Sequence, residues 1–161
     1  MNISQLNEIS KEVFAAFNDS MPNEAPLICP GTETEEVTDP LWGKSWDELD
    51  YEYFDYENLL FSFIPGPFIP YFLGFALHSS INHRFSGPES LNIFFDCWAD
   101  LDLEFLEPED RYYSVKITEQ LRCIFSAQQK LVLKRFVECR ASYLPPDYNE
   151  GAENFVKAVC I

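Results

Sequence analysis

The sequence predicts a mainly α protein: a single compact helical domain of about five to seven helices, with one long acidic loop that contains prolines. Three observations carry this reading. Apolar residues recur at helical spacing in several segments, Ser/Glu and Ser/Gln pairs stand where helices should begin, and no stretch alternates apolar and polar residues as a half-buried strand would. The whole chain, 1–161, reads as one globular domain, with an N-terminal helix over 2–18, an acidic loop over 19–44 and a helical core over 45–161.

Taken in order, Ile3, Leu6, Ile9, Val13, Phe14 and Phe17 fall at helical spacing, and Asn2 or Ser4 can open that helix. Pro22, Pro26, Pro30, Pro40, Gly31 and an acidic run then predict the loop. Ser45 and Glu48 have the spacing of a capping box and predict a short helix from about Trp46 to Tyr53. "LLFSFIPGPF" is apolar and ends at a turn. "PFIPYFLGFALHSSIN" reads as a buried helix that tolerates Pro67 and Pro70 near its start. Pro88 and Glu89 fit a first turn, followed by Leu91, Phe94, Phe95 and Trp98 on a stripe. "EPEDRYY" breaks the pattern, and Thr118 to Phe125 fits a short helix. The clearest helix runs from Ser126 to about Tyr143, with Ser126 and Gln129 as a capping box, Val132, Leu133, Phe136 and Val137 on its apolar stripe, and Pro145 and Pro146 as its stop. A last helix covers about Asn149 to Val159.

Composition narrows the function. Hydrophobic residues make up 47% and aromatic residues 16%, so the chain can build a core and is no disordered acidic tail. Its 27 acids against 11 Lys and Arg give a formal charge of -16, which repels phosphate backbones and anionic membranes and attracts basic proteins. Direct nucleic-acid binding and membrane binding are therefore not expected. No secretory signal is visible at the start, and the apolar stretch Leu59 to Leu77 is interrupted by Pro and Gly, so a cytoplasmic location is expected. Cys29, Cys97, Cys123, Cys139 and Cys160 match no zinc or redox spacing and are expected to be free thiols.

Few residues offer chemistry. His78 and His83, five apart, do not share a helix face as a metal pair should, and read as helix-end or satisfied core histidines. Asp96 and Asp100 stand four apart, where they could hold a hard cation or do acid–base work, although a solvated acidic face explains them more simply. Ser79, Ser80 and Ser86 lack a nucleophile-elbow context, and no glycine-rich loop follows a strand. No catalytic residue, metal or cofactor is expected.

Charge is segregated. Ten acids lie between Glu33 and Glu57, with Lys44 the only base, and a second acidic run spans Asp96 to Asp110. Lys116, Arg122, Lys130, Lys134, Arg135 and Arg140 fall in one later stretch, which could dock on the chain's own acids. In "WDELDYEYFDYENL", Trp46, Leu49 and Tyr53 would face inward on a helix, and the tyrosines left over would stand among carboxylates. Such a surface suits a basic partner, because tyrosine supplies contact area at low entropy cost while carboxylates steer and pair. The expected contacts are Trp46, Asp47, Asp50, Tyr51, Asp55 and Tyr56, with Asp100 and Asp102 as a second patch.

"WDEL", "LLFSFIPGPFIPYFLGFAL" and "FSAQQKLVLKRFVE", from about Trp46 to Cys139, resemble a family of small bacterial proteins of unknown function. In that family a Trp-containing acidic segment leads into a "LSFL" element, a "YYLPAYL"-like helix and a later "Q…V…FL" helix. This chain departs from it by placing the proline early, in "IPYFLGF". The resemblance implies no catalytic residues. By size and charge the chain is also similar to the immunity proteins that neutralise bacterial toxins. The expected function is thus a cytoplasmic, non-enzymatic binding protein that neutralises a basic partner, a bacterial toxin domain foremost. The alternative is a nucleic-acid mimic that inhibits a DNA- or RNA-handling enzyme, and the third reading is an enzyme with an unrecognised acidic site.

Overall fold

A computed structural model describes residues 3–18, 31–98 and 108–161, with side chains of the last segment from Val115 onward. The described residues form nine α-helices: α1 (Ile3–Phe17), α2 (Glu33–Thr38), α3 (Tyr51–Tyr56), α4 (Leu60–Phe63), α5 (Ile69–Asn82), α6 (Glu89–Asp96), α7 (Pro108–Ile124), α8 (Ala127–Ala141) and α9 (Glu150–Val159). Short 3-10 turns over Asp39–Leu41, Gly66–Phe68 and Pro146–Tyr148 join some of them. No strand occurs among the described residues, and the fold is mainly α.

The centre is α5. Twelve of its fourteen residues are buried, as befits a helix that is apolar nearly all round. Helix α1 lies against both α5 and α8, and α9 closes over α6, α7 and α8. Two aromatic knots mark the core. Trp46 meets Phe14, Tyr71, Phe75 and His78, while Phe155 gathers Phe94, Phe95, Trp98 and Phe125. Among the described residues, no helix is long and apolar enough to cross a membrane.

Helix α8 forms where its signals lie. The Ser126 hydroxyl accepts from the Gln129 N–H at 3.1 Å, and the Gln129 side chain accepts from the Ser126 N–H at 2.9 Å, so both halves of the capping box are made. Helix α5 ends in a Schellman turn: the Phe85 N–H reaches the Ser80 carbonyl and the Arg84 N–H reaches the Ile81 carbonyl. Arg84, at φ 53, takes the left-handed position usually given to glycine. Phe85 also has positive φ, at 67, and is fully buried against Phe136 and Tyr143, so packing holds a backbone that local preference opposes.

Three elements differ from expectation. The stretch 19–44, read as loop, contains α2, because the Thr32 hydroxyl accepts from the Glu35 N–H and three glutamates in the first turn complement the helix dipole. Helix α7 starts at Pro108, ten residues before Thr118, since proline fits a first helical turn. The helix expected over Trp46 to Tyr53 divides into two parts. Ser45 and Glu48 make one turn, with the Ser45 N–H and hydroxyl both donating to Glu48 Oε2. Asp50 then leaves the helical region at ψ 117 and caps α3 by accepting from the Glu52 N–H. Cys29 lies outside the described residues; Cys97, Cys123, Cys139 and Cys160 form no disulfide among the described residues.

Candidate functional site

Within the first acidic run, Glu33 to Glu57, one hydrogen bond links α2 to α3. The Tyr53 hydroxyl donates to the Val37 carbonyl at 2.6 Å, tying the end of α2 to the middle of α3. Burial, and Glu57 close by, raise the Tyr53 pKa, so the hydroxyl stays a donor. Next to this tie, the Tyr71 hydroxyl donates to the Lys44 carbonyl at 2.8 Å, with its pKa pushed up to about 12 by burial and then by Asp47 and Glu48. These two bonds fix the backbone on either side of the Ser45 turn. Glu33, Glu36, Asp39, Asp47, Glu48, Asp50, Glu52 and Asp55 are exposed around them. The Glu48 carboxyl is held below its usual range by its bonds from Ser45.

The expected contact residues divide by what they touch. Tyr56 is 80% exposed and stands free on the outer side of α3. Asp47 is exposed at the Ser45 turn. Asp50 is exposed too, with one oxygen engaged as the α3 cap. Tyr51 is half-buried, its ring stacked on His83 at 4.0 Å and nearly parallel. Asp55 accepts from the Glu89 N–H at 2.9 Å and so caps the first turn of α6. Trp46 is a correction: at 7% exposure it belongs to the core, because the turn at Ser45 points its ring at α5 and α1 rather than outward. Asp100 and Asp102 lie outside the described residues.

Sequence reasoning missed Leu59. It is 53% exposed three positions beyond Tyr56, and the signal was an apolar pair, Leu59 and Leu60, just past a helix end, of which only the second is buried. The basic stretch is also redistributed. Arg135 pairs with Glu8 and Glu12 of α1, Arg122 donates to the Ala158 carbonyl, and Arg140 is buried. Part of the basic stretch does dock on the chain's own acids, but on those of α1.

The histidines sit in separate surroundings. His78 lies beside Trp46 and Phe14, and burial lowers its pKa, keeping the ring neutral. His83 stands at the end of α5 under Tyr51. Among the described residues, no group of three or more His, Cys, Asp or Glu is placed to hold a metal ion. Compared with models of protein families, with curated proteins and with solved structures, the chain gives no match.

Proposed function

We propose that this chain is a non-enzymatic binding protein of the cytoplasm that masks a basic protein partner, with a toxin domain as the partner class. The observation that supports this most is the Tyr53–Val37 hydrogen bond, which ties the end of one acidic helix to the middle of another, with Tyr56 of the second 80% exposed. Eight exposed carboxylates between Glu33 and Asp55 would raise the encounter rate with a cationic surface. Tyr56, and Leu59 beyond it, would supply the apolar area that holds the complex once formed. Neutralisation would be steric: a partner whose basic active surface lies on this face cannot reach its substrate.

The test is capture from a native lysate, with the wild type and a Glu36→Lys, Asp47→Lys, Glu52→Lys variant as parallel baits. A basic protein retained by the wild type and lost from the variant supports the reading. Association of that purified protein should slow by about tenfold or more for the variant at low salt. Retention by both baits, or capture of acidic proteins only, overturns it. Competition by duplex DNA for the same partner would move the reading to nucleic-acid mimicry.

A further inference from the structure

Helices α8 and α9 form an antiparallel hairpin. Arg140, at the end of α8, donates to the Tyr148 carbonyl and the Asn149 side chain, where α9 begins. At the other end, burial raises the pKa of the Cys160 thiol while Lys134 and Lys130 lower it, so the end of α9 lies beside the first half of α8. A groove of about 310 Å³ runs between the two helices, with Val137, Ala141 and Val156 along it. The antiparallel course sets Lys134 level with Lys157, and Glu138 level with Glu153, on the rims of that groove.

On α8, Leu131, Lys134, Glu138 and Ala141 are all exposed, and their spacing places them on one face of the helix. That order is its own complement. Two copies of α8 laid antiparallel about a two-fold axis between Lys134 and Glu138 set each lysine against the other copy's glutamate, and each Leu131 against the other copy's Ala141. The same axis, continued across the hairpin, sets Lys157 of each copy against Glu153 of the other. Within one copy the α8 stripe is left open. Lys134 and Glu138 form no ion pair among the described residues, whereas Glu153 and Lys157 pair at 3.8 Å. A lysine four residues before a glutamate is the weaker order within a helix, so Lys134 and Glu138 gain little from each other. Leu131 stays 52% exposed beside them.

We propose that this face of α8 and α9 is a homodimer interface, occupied by a second copy of the chain across a two-fold axis. Charge argues for this occupant. The chain carries -16, so two copies repel over most of their surface, and the acids around α2 and α3 would meet acids. The groove rims instead carry two lysines and two glutamates, arranged so that opposite signs meet under the two-fold. Leu131 supplies apolar area at both ends of the α8 seam. Exposed charge pairs on so small a seam make a weak dimer, with a Kd on the order of 10–100 μM.

Sedimentation equilibrium of the full chain tests this, and the wild type should show a monomer–dimer equilibrium. Lys134→Glu and Glu138→Lys each place like charges across the axis twice per dimer, and each alone should weaken the dimer by about tenfold or more. Net charge by itself would weaken the first variant and strengthen the second, so loss in both is the mark of the pairing. Mixing the two variants should restore association as a heterodimer, because every charge again faces its opposite. That recovery also shows that both variants are folded. Leu131→Ala should weaken the dimer several-fold and leave the melting curve unchanged, since the side chain is half exposed. A wild-type chain that stays monomeric at about 1 mM overturns the proposal. So does a dimer that Glu138→Lys strengthens or leaves alone, or a mixture of the two variants that fails to associate.

Discussion

A Cβ added at Gly74 would lie 2.2 Å from the Cβ of Phe17, and 2.8 Å from the Trp46 ring. Helices α1 and α5 therefore touch at a point where only a hydrogen fits. Phe17 is fully buried, so it has no room to retreat. Gly74→Ala should destabilise the fold by about 1–3 kcal/mol or more through overpacking, despite alanine's better helix propensity. Urea unfolding of the two proteins checks this, and a gain in stability would mean the helices can separate at that crossing.

Arg140 is a buried cation whose hydrogen bonds go to neutral groups, with Asp96 close enough to favour its charge. At 2% exposure it donates to the Tyr148 carbonyl and to the Asn149 and Asn92 side chains, with its guanidinium over the Phe95 ring. One fork thus joins α8, α6 and the start of α9. Lysine cannot reproduce a planar fork, so Arg140→Lys should cost at least about 2 kcal/mol by leaving buried acceptors unpaired. The comparison is with Lys134→Arg on the exposed side of the same helix, which should stay within about 0.5 kcal/mol. Equal melting temperatures for both variants would show that the Asn92 and Asn149 bonds carry no stability.

Asp55 and Tyr56 are neighbours with opposite roles. Asp55→Ala should cost about 1 kcal/mol of stability, since the first turn of α6 loses its acceptor. Tyr56→Ala should leave the melting curve unchanged. If α3 presents the partner surface, that same change should raise the off-rate of the complex, with a cost of about 2 kcal/mol when Tyr56 is a hot spot. Binding kinetics beside thermal melts on both variants separate fold from interface.

His78 adds a pH dependence of known sign. Its folded pKa is lowered by burial from the usual value of 6.5, so the unfolded chain takes up the proton first as pH falls. Its contribution is full above about pH 6.5 and is lost as pH falls from there through the folded pKa. His78→Gln should therefore show a shallower fall of stability than the wild type as pH drops below about 6.5. Parallel slopes over that window would place the ring's ionisation outside the folding equilibrium.

The short-range signals of this chain were readable without coordinates. Ser126 and Gln129 meet within one turn, and Leu91, Phe95 and Trp98 meet along one face, so neighbouring residues alone specify α8 and the inward side of α6. The apolar run of α5 announced its burial for the same reason. Helix α2 escaped notice because it lacks an apolar stripe and depends on its Thr32 cap and first-turn glutamates instead, and the start of α7 because "EPEDRYY" carries no apolar stripe. Only the tertiary structure decided what each acid, base and ring is for. Nothing local distinguishes Arg140 from Arg135, yet one is enclosed by Asn92 and Asn149 and the other pairs with α1 at the surface. Likewise Asp55 caps a helix that begins thirty-four residues later, and Val37 receives a hydroxyl from sixteen residues away. Those partners are set by how the helices cross, and that depends on volumes summed over the whole core, such as the missing side chain at Gly74, rather than on any one stretch of sequence.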